Sequence, residues 1–274
     1  MVQAKCLQAL MGMVVLLASV LCMSIDATAE PVPANDAVRT YGCRRTNHAI
    51  NVDGRSDEPA WAAARWTDPF VDIVGSARRA PAWQTRVKML WDDRFLYVYA
   101  ELEEPHVRAT LSEKNSMLYR ENAFEVFLDP LGKGVDYYEF EINALGTIWE
   151  LTLNRPYRRG GKATSGTNLP SLRSAVRVDG TLNDPRDVDR KWSVEIAIPL
   201  DELRTIKVPA KLPLASGQEW RINFCRVQWS YELVDGKYVQ VPKERRPSDN
   251  WVWSPQGAVD MHLPEKWGVV RFID

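Results

Sequence analysis

Histidine is nearly absent. The 274 residues hold three, at positions 48, 106 and 262, too far apart for H-E-x-x-H or another metal-ligand spacing. Cysteine is almost as scarce, with four residues and no C-x-x-C pair, which leaves no thiolate zinc site and no dithiol redox motif. Neither sign of charge dominates: 35 Lys+Arg stand against 36 Asp+Glu. The basic excess of a nucleic-acid-binding domain is therefore missing. A serine nucleophile would lack its G-x-S-x-G elbow. Gly160-Gly161-Lys162-Ala163-Thr164 is not a phosphate loop, because its first glycine is misplaced and alanine follows the lysine. Beyond the N-terminus no apolar run approaches the ~20 residues that span a bilayer. What is present is ordinary globular material, 45% apolar and 26% charged, with one skew: 11 Trp against 7 Phe. Tryptophan suits cores and also flat contact surfaces.

The N-terminus reads as a targeting segment. Lys5 is the only charge before Asp26, the stretch between is apolar, and Ala27-Thr28-Ala29 is a small-x-small cleavage pattern. This predicts a signal peptide over 1–29, cleaved after Ala29, and a secreted or periplasmic protein with no membrane segment in its mature form. Residues 30–40, with Pro31 and Pro33, read as a flexible lead-in, and 41–274 as one domain. Cys6 and Cys22 leave with the signal. Cys43 and Cys225 remain, and in an exported compartment they either pair or stay as two separate buried thiols.

Strand periodicity dominates the mature chain. Ile50 and Val52 suggest a short strand closed by Asp53-Gly54, and Asp57 to Trp61 a helical turn with proline near its start. Val87, Met89 and Trp91 alternate, Asp92-Asp93-Arg94 turns, and Leu96, Val98, Ala100 and Leu102 alternate again, which predicts a hairpin. The same period runs through Phe124 to Asp129, Tyr138 to Asn143, Trp149 to Leu153, Trp192 to Ile198, Trp220 to Phe224 and Gly268 to Ile273. Asn154 to Ser171 reads as one long loop, and Pro199 to Leu203 as a short helix. Many short strands with few helices predict an all-β, antiparallel β-sandwich of jelly-roll or immunoglobulin-like kind, each sheet burying one face.

Acidic residues are the first candidates for chemistry. Glu125, Asp129, Glu139 and Glu141 fall on the polar faces of two neighbouring strands. Such a row is a solvated sheet face, a ligand-binding surface, or a general acid and base for glycoside hydrolysis. Asp53, Asp57 and Glu58 crowd one turn, where hard oxygen ligands would suit calcium, although turn formation by Asp-Gly and a helix-start carboxylate explains them better. Trp251, Trp253 and Trp267 gather near the C-terminus, and most tryptophans are expected to fill the core.

In order, Asp53-Gly54, Asp57-Glu58-Pro59-Ala60-Trp61, Leu90-Trp91-Asp92-Asp93 and Glu121 to Pro130 resemble the family 9 carbohydrate-binding modules. So do Tyr137 to Asn143, Trp192 to Pro199, Trp253-Ser254-Pro255 and Trp267-Gly268. The resemblance is nearest to stand-alone secreted family 9-like proteins. It implies a non-catalytic sandwich that binds poly- or oligosaccharide, often with structural calcium and no required cofactor, beside glycoside hydrolases as functional neighbours. It puts Tyr119 at one aromatic clamp position and Glu125 at the position that bonds sugar hydroxyls. Glu141 and Asn143 would line the same site. The second clamp position falls at Met261-His262, without a tryptophan, so that Trp251 or Trp253 would have to substitute. Two other classes fit less well: a glycoside hydrolase, and a haem-binding redox sandwich using Met and His axial ligands.

Overall fold

Apolar side chains at every second position can be buried together only if the backbone is extended and paired. In the computed structural model, which describes residues 36–245 and 248–274, the chain opens with β1 (Thr40–Arg45), the single-turn helix α1 (Pro59–Ala63) and the two-residue β2 (Val71–Asp72). The hairpin β3 (Thr85–Trp91) and β4 (Phe95–Glu103) follows, then β5 (Ala123–Asp129), β6 (Tyr137–Ile142), β7 (Ile148–Leu153) and the short β8 (Ala163–Ser165). Next come β9 (Arg173–Asp179), β10 (Lys191–Pro199) and the long β11 (Glu219–Gln228). The series ends with β12 (Tyr231–Val234), β13 (Lys237–Gln240), β14 (Asp249–Val252) and β15 (Gly268–Ile273). The predicted signal segment 1–29 lies outside the described residues.

Hydrogen bonding joins the strands in the order β8-β7-β6-β5-β11-β15-β1-β3-β4-β10-β9. One edge of β11 serves two partners in turn: Glu219–Ile222 pair with β15, and Cys225–Gln228 with β14. The path doubles back on itself. Val87, Val98 and Val194 from one half meet Phe124, Phe140 and Phe224 from the other in a single hydrophobic core. That is the expected β-sandwich. Its pairing is antiparallel except at β1, which runs parallel to both β15 and β3.

Several local expectations are corrected, and the open choice for the two cysteines is decided. Ile50 and Val52 form no strand; Ile50 packs instead with Trp61, Tyr97 and Tyr99. The long loop after Asn154 is interrupted by a 3₁₀ turn over Tyr157–Arg159 and by β8. Cys43 and Cys225 are both free and buried. Cys43 faces the central core and Cys225 a second cluster with Phe127, Tyr137 and Trp267, so they point to opposite sides of the sheet and do not pair. Asp53, Asp57 and Glu58 do not converge on an ion. Asp53 Oδ1 accepts the Arg55 amide (3.0 Å), Glu58 Oε1 accepts the Asn51 amide (3.2 Å), and Asp57 faces Arg55. Among the described residues no group of three His, Cys, Asp or Glu side chains is placed to hold a metal.

The largest departure concerns the outer faces of the sandwich. Every residue of β5 and of β6 is buried. The Ile73 region and the segment around Met261 and Trp267 cover one outer face, and α1 with Trp61 covers the other. The acidic row is therefore not a solvated sheet face.

Candidate functional site

Glu125 on β5 stands directly opposite Glu141 on β6, and Glu139 lies two residues away on the same strand. Period-two geometry sends all three side chains to one face. The ladder continues sideways: Trp149 of β7 is paired with Glu141, and Cys225 of β11 with Glu125. Where the covering segments part, the three carboxyls lie at the base of a cleft of about 830 Å³, also lined by Tyr119, Trp229, Asn250 and His262.

The aromatic lining is held by the scaffold. Leu118, fully buried, anchors a 3₁₀ turn (Leu118–Arg120) that leaves Tyr119 44% exposed. The ring of Tyr119 lies 5.9 Å from that of Trp149. Trp229, just past β11, donates its indole N–H to the Tyr119 carbonyl (2.9 Å) and its backbone N–H to Asn122 Oδ1 (2.7 Å). Asn122 in turn donates to Glu104 (3.3 Å), which forms a fully buried ion pair with Arg226 (2.9 Å).

Burial governs the electrostatics. It pushes the Glu125 carboxyl up to about 8. Glu139 and Glu141 are also raised, first by burial and then by the charge of Glu125. Desolvation lowers His262 to about 4, so its ring is neutral; Nδ1 shares a 2.9 Å hydrogen bond with the Tyr137 hydroxyl. Most other buried carboxylates are better supplied with donors, although Glu150 Oε2 also lacks a hydrogen bond and has only Lys114 nearby. Glu121, for example, accepts from the Thr110 amide and hydroxyl, the Leu111 amide and Asn143 Nδ2. The cleft carboxyls receive only the Cys225 thiol on Glu125, the Tyr119 amide on Glu141 and each other. Glu141 Oε2 has no partner although the residue is only 1% exposed.

Of the residues singled out in the sequence, Tyr119, Glu125, Glu141 and His262 meet in this cleft. Asn143 does not: it is fully buried, its Nδ2 donates to Leu111 and Glu121, and its Oδ1 accepts the Leu145 and Thr147 amides. Trp251 and Trp253 do not supply a second clamp. Trp251 lies on the core side opposite Arg226, against Trp83; Trp253 is 1% exposed and packs on Tyr41 and Phe224. The further aromatics are Trp229 and Phe127, which line the cleft, and Trp149, which packs against Tyr119. Trp149 shares a face with Leu151 and Leu153, and that face is the cleft side, not the core. Met261 and His262 offer no haem axial pair, since Met261 is buried with Trp267 and His262 is committed to Tyr137.

The comparisons agree with this architecture. The profile of the carbohydrate family 9 binding domain-like family matches residues 52–215, more than half of the chain. Endo-1,4-beta-xylanase C of Paenibacillus barcinonensis is 26% identical over 154 residues, covering 56% of this chain but 12% of that protein's length. A candidate carbohydrate-binding protein from Bacteroides uniformis shares the fold, with TM-score 0.64, 15% identity and coverage of 86% of this chain and all of the other. A family 9 carbohydrate-binding module from Caldicellulosiruptor kristjanssonii, solved with cellotriose, superposes at TM-score 0.53, with 16% identity and coverage of 86% and 94%. With a family profile that matches more than half of its length, this chain belongs to the carbohydrate family 9 binding domain-like family.

Proposed function

We propose that the protein binds the end of a poly- or oligosaccharide chain in the Glu125–Glu141 cleft and does no chemistry on it. One observation carries the reading: an exposed aromatic ring, Tyr119, stands at a cleft whose buried Glu141 Oε2 lacks a donor. Sugar hydroxyls supply donors, and the C–H faces of sugar rings suit aromatic walls. Hydrolysis would need two carboxyls with environments that separate their proton affinities, one acid and one base. Here burial drives all three in the same direction. The reading needs no metal or cofactor. It fits an exported protein, processed after Ala29, that holds polysaccharide beside glycoside hydrolases. Among the described residues no helix is long and apolar enough to cross a membrane.

The test is calorimetric titration with a panel of oligosaccharides, alongside an assay for reducing-sugar release. Binding without release is expected, and it should weaken in Tyr119→Ala and in Glu125→Ala. Unchanged affinity in both variants would remove the site. N-terminal sequencing of the exported protein should begin at Glu30.

A further inference from the structure

The three cleft carboxyls lack the charged or multiple partners that the other buried glutamates have among the described residues. Glu195 holds three N–H donors, Glu104 holds Arg226 and Gln228, and Glu150 holds Tyr138 with Lys114 nearby. Among the described residues, no cation pairs with Glu125, Glu139 or Glu141. Three acids packed together and short of donors make a poor match for a wholly neutral ligand. Each hydroxyl donates one hydrogen bond and brings no charge that would favour an ionised carboxyl. A primary ammonium donates three and cancels charge as well.

Resting on the saccharide reading, we propose that the cleft selects a sugar bearing a free primary amino group, with its ammonium against Glu125, Glu139 and Glu141. The ring of that sugar lies along Tyr119 and Trp229. The groups facing the carboxyls from neighbouring elements are compatible with this. Cys225 of β11 is a buried neutral thiol, Tyr137 and Tyr157 are held as neutral phenols, and His262 is uncharged. Asp260 is engaged by Arg158 (3.1 Å). Arg120 and Lys243 also line the cleft, but both are exposed, where water screens them. Because the ammonium favours the ionised carboxyls, binding expels protons that the empty cleft holds near neutral pH.

The experiment is calorimetry on the full exported protein at about pH 6.5, where amines are protonated. The probes are the β-1,4 glucosamine trimer, its fully N-acetylated form, cellotriose and trilysine. The amino trimer should bind roughly tenfold or more tightly than either neutral trimer. Repeating the titration in buffers of different ionisation enthalpy should show proton release for the amino trimer alone. Glu141→Gln, checked for an unchanged melting temperature, should abolish the preference and the proton release together. Neutral trimers that bind as well as the amino trimer would overturn this inference and leave the saccharide reading standing. Absence of binding by any trimer would overturn both. Trilysine binding as tightly as the amino trimer would show that the ring is not recognised, and would overturn it too.

Discussion

Trp61 and Glu195, far apart in the chain, are joined by a 2.9 Å hydrogen bond from the indole Nε1 to the carboxylate Oε1. The other oxygen, Oε2, accepts the Asp53 and Gly54 amides (2.9 and 3.1 Å). One side chain on β10 thus pins both α1 and the turn before it to the outer face of the sheet. Gly54 sits at φ +85°, and a Cβ there would press on the backbone of β9 at 3.2 Å, so the turn also needs glycine. Glu195→Ala would strand three donors in a buried site. The expected loss is about 2–4 kcal/mol in urea unfolding, against about 1–2 kcal/mol for Trp61→Phe, which removes one of the three bonds. A Glu195→Ala variant as stable as the parent would contradict this role.

The Glu104–Arg226 pair gives a second, sharper case. Arg226 is 1% exposed, donates to Thr85 Oγ1 and Gln228 Oε1 as well as to Glu104, and lies over the Trp251 ring at 5.0 Å. Arg226→Met leaves Glu104 charged and buried, at a cost of about 3–5 kcal/mol. Glu104→Gln combined with Arg226→Met should cost clearly less than the sum of the two single changes. Chemical denaturation of all four proteins measures the coupling, and strict additivity would show that the pair is not one unit.

Much of this fold was legible because strand periodicity is a local signal. β3, β4, β5, β6, β10 and β15 appear where alternation placed them. β9 escaped because its residues are half exposed on an edge and alternate weakly, and β14 because four residues carry no period. The parallel pairing of β1 is a fact about distant chain ends and has no local signature. Tyr119 and Glu125 were found through the motif they belong to. Trp149 was missed because alternation tells which side chains share a face, not which face is the core, and Trp229 because it lies past the end of β11, outside the alternating run. Asn143 failed for a related reason: it shares a face with Glu141, yet the Leu111 loop covers it completely.

The buried carboxyls set the pH response. Glu125 is raised to about 8 and Glu195 to about 7, both mainly by burial, well above the ordinary glutamate range. The folded protein therefore holds protons that the unfolded chain releases, and stability falls as pH rises through this window. The melting temperature should be higher near pH 5.5 than near pH 8.5. Glu125→Gln should flatten the slope, since a neutral amide has no proton to lose. A melting temperature that climbs across the same interval would contradict the assignment.

Two aromatic substitutions separate the cleft from the core. Tyr119 is 44% exposed, and its hydroxyl contacts only Met117 Sδ at 3.5 Å. Its truncation to alanine should leave stability within about 0.5 kcal/mol while weakening saccharide binding by about 1–2 kcal/mol. Trp253 presents the opposite balance. It is 1% exposed, and its ring lies so close to Gly268 that a Cβ there would meet it at 2.2 Å. Trp253→Ala should cost about 3–5 kcal/mol of stability, with any loss of affinity following only from loss of folded protein. Parallel titration and unfolding of both variants tests the division. If Tyr119→Ala unfolded the protein, or Trp253→Ala weakened binding at full stability, the two rings would have been assigned to the wrong sides of the sheet.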